Sequence, residues 1–492
     1  VYAACAVLAL VGVLVLAAVG FLVYAAVIIF RELDADRGRP DQQPPPAEVG
    51  NRGTGWVRPD PVTPTKLADA RDKIVLDGEF DATCRGAGGR YLFLRNPPAK
   101  KLHVFDPVEA KVVHEIPLDD PKTLVAAGAA KLFLLKPRTG QLERYDLRTW
   151  QKEQESAKGA VPQAEYLFTG WAADGPVYAA GEGLGFVQPV DPRALAAGPR
   201  KAPVPDVYRP PFRVSADGRL LGAGREGKSG AVLRLAPEGL FDPVALGPEG
   251  QPVGHVTPAP DGRWAYTAFG PFRLDRGEYR PWVLTAPGRP SAVYSFPAAQ
   301  GGDLFLSLRQ IADTKWASGP LRVHPSSDPK RLTPGSELDT VGPLRRWDRT
   351  DAETDRPLTE EKFHLWPAAG LLAVLTPAND ETTIELFKVD VGAALRKLNR
   401  EFAAFGTDPP TTAVRGTVWE YRYTVWADQT VPVRIAAAPE GMVIGKLGIN
   451  FGTIRWPVPK DFPDREVEVR MEAGPEGTPA VQTFRLSVVD SR

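Results

Sequence analysis

Five histidines, His103, His114, His255, His324 and His364, are the first side chains to ask about, because imidazole serves both proton transfer and metal binding near neutral pH. No two share the short spacing that sets ligands on one helix or turn, so a metal site built from sequence neighbours is excluded. A fold that closes on itself could gather ligands from distant strands, and Asp217 and Asp261 are carboxylates to consider there. Each stands in Asp-Gly-Arg, however, where Asp-Gly is foremost a turn former. Nucleophilic and phosphate chemistry find little. No Gly-x-Ser-x-Gly elbow occurs. Ser229, in Gly227-Lys228-Ser229-Gly230, lacks the spacing of a phosphate loop, and Gly181-Glu182-Gly183-Leu184-Gly185-Phe186 has Phe where a dinucleotide loop needs its last Gly. The two cysteines, Cys5 and Cys84, offer no disulfide framework. No catalytic, cofactor-binding or metal-binding residue is therefore assigned. What remains is recognition: Arg345, Arg346, Trp347, Asp348 and Arg349 form a charged, aromatic cluster suited to an interaction loop.

Composition narrows the partner. Sixty basic and 60 acidic residues balance, which argues against a nucleic-acid partner, since such proteins carry a basic excess. Glycine (47) and proline (50) are each about a tenth of the 492 residues and lie between apolar runs, as in an all-β protein rich in turns.

Residues 1–30 hold no charge. As a helix they would span roughly 45 Å, enough for a hydrocarbon core of about 30 Å. They are expected to form a single transmembrane helix, giving a membrane partner through residues 1–30. A signal peptide would have a shorter apolar core and a small-residue cleavage site. Arg31, Arg37 and Arg39 follow the helix, interleaved with Glu32, Asp34 and Asp36. The soluble part is expected outside the cytoplasm. Residues 31–66, with Gln42-Gln43-Pro44-Pro45-Pro46, read as a Pro-rich, semi-rigid linker.

From 67 to 406 a tight turn followed by short apolar strands recurs about every 40–45 residues, a period that stacks small sheets around a ring. Gly88-Gly89-Arg90 opens into Tyr91-Leu92-Phe93-Leu94, Asp217-Gly218-Arg219 into Leu220-Leu221, and Asp261-Gly262-Arg263 into Trp264-Ala265-Tyr266. Seven units are counted; six and eight remain open. Lys73-Ile74-Val75-Leu76 is expected to pair with the last unit and close the ring. Residues 326–362 are an insertion read as a surface loop, and Leu395–Phe402 as a short helix. These turns resemble those of bacterial WD-repeat-like and YVTN-like β-propellers; the resemblance implies architecture alone.

From 412 to 490 the pattern changes. Trp419, Tyr421, Tyr423 and Val425 alternate with polar residues, as do Val467, Val469 and Met471, and Phe484, Leu486 and Val488. Such alternation buries one face of each strand, as in a sandwich. Pro439-Glu440-Gly441-Met442 followed by Trp456-Pro457 resembles the putative-Ig, cadherin-like domains of bacterial surface proteins. That resemblance implies a small adhesion or spacer module with Met442 and Trp456 in its core.

The expected fold is thus all-β: transmembrane helix, β-propeller and Ig-like sandwich. The expected function is non-enzymatic binding or scaffolding at the membrane, with a protein or carbohydrate ligand. Two alternatives stay open: the sensor half of a larger membrane receptor such as a kinase, and a propeller hydrolase or oxidoreductase.

Overall fold

The computed structural model describes residues 64–490 apart from 182–183, 201–207, 226–227, 237–238, 247–255, 261, 268–269, 275–277, 280–284, 287–288, 291–292, 301–302, 311–316, 326–335, 340, 342, 346–361, 376–381, 399–401 and 475–478. Residues 1–30, and the linker expected over 31–66 up to residue 63, lie outside the described residues. Among the described residues no helix is long and apolar enough to cross a membrane.

Antiparallel sheets follow one another along the chain, each built in chain order. The first comprises Ala82–Gly86, Tyr91–Asn96, Lys101–Asp106 and Lys111–Pro117. The second comprises Leu124–Ala127, Lys131–Lys136, Gln141–Asp146 and Lys152–Glu155. The third runs through Tyr166–Thr169, Val177–Ala180, Val187–Asp191 and Ala196–Ala197. The fourth runs through Tyr208–Val214, Leu220–Arg225, Lys228–Ala236 and Gly239–Ala245. The fifth has Val256–Pro258, Trp264–Thr267, Gly270–Arg273 and Glu278–Tyr279. The sixth has Val293–Pro297, Leu304–Gln310, Ala317–Pro325 and Ser336–Glu337. The seventh takes Phe363–Trp366, Leu371–Leu375 and Thr383–Lys388, and borrows its outermost strand, Arg71–Val75, from the start of the described chain. There Ile74 faces Ile384 in antiparallel register, the expected closing pair.

This is a β-propeller arrangement, and its core lies between sheets. Leu102 and Val104 of the first sheet pack with Leu132 and Leu134 of the second, and Leu135 and Leu142 of the second with Val177 and Ala179 of the third. A sheet sandwiched on both faces needs runs of apolar residues, and Leu371–Leu375 is buried at every position. Burial of each such leucine or valine stabilises by about 1.5–3 kcal/mol.

A second device repeats at the outer corners. Asp106, Asp146 and Asp191 each end a third strand, and one carboxylate oxygen accepts the backbone N–H groups two and three residues on, at 2.7–3.4 Å. The turn then passes through a left-handed residue, Ala110, Trp150 or Leu195. The carboxylate satisfies the N–H groups that a sharp corner would otherwise leave without partners.

The insertion expected as a surface loop over 326–362 is partly sheet. Ser336–Glu337 and Pro343–Arg345 both pair with Ala317–Pro325. The reason is apolar: Leu338 and Val341 are buried and join the core beneath the sixth and seventh sheets.

The helix is Val391–Arg396, ahead of the expected Leu395–Phe402. Asp390 starts it by accepting the Ala393 N–H at 2.8 Å, and Val391, Ala394 and Leu395 are buried. Beyond it stand two four-stranded sheets. One orders Ala403–Phe405, Val418–Ala427, Phe451–Pro457 and Val443–Gly448. The other orders Thr412–Val414, Ala480–Val489, Glu466–Ala473 and Val433–Ala437, with Thr412–Val414 parallel to its neighbour. Trp419, Tyr421, Tyr423 and Val425 point into the shared core, where Trp456 is fully buried and Met442 packs at the margin. The turn at Gly441 (φ 82°) presents the Glu440 carbonyl to the Trp456 indole N–H at 3.2 Å.

The ring and this second region share a hydrophobic cluster. Leu395, Ala404, Phe402 and Trp426 pack with Phe296, Leu321 and Phe387. Gly406 permits the fit, because a Cβ there would lie 2.1 Å from Trp426 Nε1.

Candidate functional site

The first strands of the sheets face the ring axis, and each leads directly into one of the tight turns. Those turns meet. Gly88 N–H donates to Trp171 O at 2.9 Å, linking the first sheet to the third, and Ala172 N–H donates to Ala216 O at 2.9 Å, linking the third to the fourth. Arg85 Nη1 donates to Ala298 O at 3.1 Å and the Trp366 indole N–H to Gly89 O at 2.6 Å, linking the first sheet to the sixth and seventh. Gly89 (φ 84°) is required there, since a Cβ would sit 2.6 Å from Ala299 O.

The second region is seated on the same end. Thr411 Oγ1 donates to Ala172 O at 2.5 Å and Thr412 Oγ1 to Asp174 Oδ2 at 2.8 Å. Phe405 N–H donates to Asp303 Oδ2 at 3.1 Å, and Arg219 bonds Glu466.

Along the axis lies a cavity of about 430 Å³. Inner strands of the first, second, third, fourth and seventh sheets supply most of its walls, Phe93, Arg95 and Leu102 extend it into the second and third strands of the first sheet, and Trp171 stands at the turn end. Tyr166, Phe168 and Phe212 form an aromatic wall. The Phe212 ring meets Tyr166 edge-on at 4.7 Å between centroids and Phe168 at 6.1 Å. Three guanidinium groups line it. Arg85 lies 5.4 Å above the Trp171 ring, and Arg213 donates to Phe212 O at 2.8 Å. Arg95 is neutralised by a two-point bond to Asp81 at 2.7 and 2.8 Å. Glu165, which is exposed, marks the opposite end. Cys84 also lines the cavity, and burial pushes its thiol up to about 12. At neutral pH it stays a thiol, which is a poor nucleophile.

The histidines are not brought together. His364 lines the cavity and is buried. His103, also buried, has Nε2 3.2 Å from Asp77 Oδ1 and Nδ1 3.1 Å from Glu115 Oε1. Lys101 spans the same two carboxylates at 2.7 and 2.9 Å, and its bond holds the Asp77 carboxyl below its ordinary value. A histidine between carboxylates could act as a base, but this one is 1% exposed and out of a substrate's reach. His324 lies 2.7 Å from Ser307, both at 2% exposure, beneath the Phe305 ring. His114 stacks on Trp150 at 5.2 Å, and His255 lies outside the described residues. Among the described residues no group of three or more His, Cys, Asp or Glu side chains could hold a metal ion.

Asp217 is a turn residue: Oδ1 accepts from Arg219 N–H at 3.0 Å and Ser215 Oγ at 2.5 Å. Asp261 lies outside the described residues. Of the interaction loop, Arg345 ends the strand Pro343–Arg345, its backbone opposite Ala317, while Arg346, Trp347, Asp348 and Arg349 lie outside the described residues.

The cavity residues do not stand out in the sequence, because the recurring turn marks where each repeat's second strand begins. Stepping back from Gly88-Gly89 or Asp217-Gly218 would have reached Thr83-Cys84-Arg85 and Phe212-Arg213-Val214.

No family model matches the sequence, and no curated protein matches it. Solved structures do match. One, described as the crystal structure of the mitotic checkpoint complex, is 13% identical with a TM-score of 0.39, covering 68% of this chain and 94% of that one. At that score the likeness carries no argument, and the architecture rests on the strand pairings above.

Proposed function

We propose that the chain is a membrane-anchored, non-enzymatic binding module. In this reading residues 1–30 hold it to the bilayer, a seven-bladed propeller presents a ligand cup, and an Ig-like sandwich braces the closed end. The observation that supports it best is the axial cavity, whose aromatic wall and guanidinium groups are suited to hold a ligand. Its volume falls in the range of small-molecule sites, about 300–1,000 Å³. The sandwich seated on the turns leaves the end near Glu165 as the way in.

The test uses the full chain in lipid nanodiscs, equilibrated with a small-molecule cell extract and examined by native mass spectrometry. Val125→Trp fills the cup from the half-buried second inner strand. A bound species retained by the native chain and lost from a folded Val125→Trp variant is the expected result. A set of bound species identical in both would sink the cup reading.

A further inference from the structure

We infer that the hairpin tip formed by residues 446–451 rests on a phospholipid surface and gives the chain a second membrane contact. The inference rests on the membrane-anchored part of the reading above and is independent of the cup.

The tip is apolar, exposed and held in place. Leu447, Ile449 and Phe451 are 61%, 73% and 44% exposed. Ile449 and Asn450 join Val443–Gly448 to Phe451–Pro457, and Gly448 faces Phe451 across the turn. Asn450 turns its polar atoms back into the two-sheet region. Its Oδ1 accepts the Val431 N–H and its Nδ2 donates to Gln429 O, both at 2.9 Å, and its carbonyl accepts the Val425 N–H at 2.8 Å. Phe451 lies across Gly448, where a Cβ would stand 2.0 Å from the ring. The polar groups of Asn450 are thus used inward while the apolar side chains face out, so contact demands little further ordering.

The backbone decides the occupant. A strand added from a second chain needs a regular ladder edge, and here the register shifts between Lys446 and Gly448. Such a bulge blunts an edge. The exposed apolar groups therefore sit where the ladder is broken, offering side chains without a row of backbone partners. A bilayer takes side chains of this kind at the boundary between headgroups and acyl chains. Charge agrees. From 441 to 454 the one charged residue is Lys446, which is exposed and suits an anionic headgroup. Asp428, on the adjoining loop, accepts the Phe402 N–H. Chain length agrees as well: extended at about 3.1 Å per residue, the linker over 31–63 would reach on the order of 100 Å from the bilayer. A tip this small is a weak membrane ligand alone, and an anchor on the same chain raises its effective concentration.

The test places the full chain in nanodiscs of phosphatidylcholine and phosphatidylglycerol that include a phosphatidylcholine with a photoactivatable diazirine on its acyl chain. After illumination, lipid adducts are mapped by peptide mass spectrometry, and chains per disc are counted by native mass spectrometry. Adducts are expected both in residues 1–30 and in 447–451. In Leu447→Ser/Ile449→Ser/Phe451→Ser the tip adducts should fall at least about tenfold while those in residues 1–30 persist. Should that variant fail to fold, Ile449→Ser alone, at the most exposed of the three positions, carries the comparison with a smaller loss. Adducts in residues 1–30 without any at the tip overturn the tip contact and leave the anchor standing. Adducts at the tip alone uphold the contact and overturn the anchor. Adducts in neither overturn both. Two chains per disc that become one in the variant, with the tip unlabelled, overturn the lipid contact in favour of a second copy.

Discussion

The ring and the two-sheet region solve the same problem in opposite ways. In the ring, Leu371–Leu375 is buried at every residue, because each small sheet is covered on both faces by its neighbours. In the two-sheet region, Val418–Ala427 buries Trp419, Tyr421, Tyr423 and Val425 and turns the residues between them outward. The ring's stability is therefore shared among sheets none of which could stand alone. The second region carries a core of its own, and it also keeps an open edge. Among the described residues Val443–Gly448 pairs on one side only, and Val443, Leu447, Ile449 and Phe451 along that hairpin are exposed. The lesson is that cooperativity belongs to the ring as a whole, and the shared cluster around Trp426 decides how far it extends.

The largest test of that contrast removes one tryptophan from each side. Trp366→Ala should cost about 3–5 kcal/mol, since the fully buried indole also donates to Gly89 O. Trp456→Ala should cost a similar or slightly smaller amount. Hydrogen exchange followed by mass spectrometry distinguishes them. Trp366→Ala is expected to speed exchange in all the sheets of the ring, and Trp456→Ala chiefly within 403–489. Exchange confined to the seventh sheet after Trp366→Ala would show that the ring is not one cooperative unit.

The next change strikes the joint. Gly406→Val pushes a side chain into Trp426, and should destabilise by about 1–3 kcal/mol. Its sharper signature is calorimetric: a single melting transition in the native chain should split into two. A single unshifted transition would mean that the shared cluster does not couple the regions.

The smallest effect is electrostatic. Burial would raise the Asp146 carboxyl, but bonds from Lys131 and from the Arg148 and Thr149 N–H groups more than offset it, and its folded pKa lies below the ordinary value. Its contribution to stability is therefore complete above about pH 4 and fades as the pH falls through the folded value. Asp146→Asn should lower the urea midpoint more at pH 7 than at pH 3. In the second region Glu472 is held low by bonds from Arg434 and then Arg470. Glu472→Gln should show a weaker version, because Arg434 and Arg470 are well exposed to solvent. Equal shifts at both pH values for Asp146→Asn would remove the ion pair from the account.

The same contrast explains what the sequence made legible. Alternation at Trp419-x-Tyr421-x-Tyr423-x-Val425 names the buried face residue by residue, so that strand could be read outright. In the ring no single strand says which way it faces, and the repeat itself had to carry the reading. The inner strands precede the turns that mark each repeat, and some are very short. Leu124–Ala127 and Tyr166–Thr169 have four residues each. The helix begins ahead of the expected Leu395–Phe402 because Asp390 caps Val391–Arg396 and the apolar Val391, Ala394 and Leu395 are buried. The cavity is a property of closure: Arg85 and Arg213 are 128 positions apart in the numbering and line one cavity because the ring brings the first and fourth sheets to one axis.

Closure by Arg71–Val75 also sets a schedule for synthesis. This strand leaves the ribosome some three hundred residues before its partner Thr383–Lys388. At roughly 5–20 residues per second, the wait is on the order of 15–60 seconds. Throughout it the first segment is held out of the fold, and the sheets already made stand as an open arc with two raw ends. Chaperone demand should therefore persist through that wait and end abruptly when residue 388 emerges, the moment at which beginning and end of the ring first exist together.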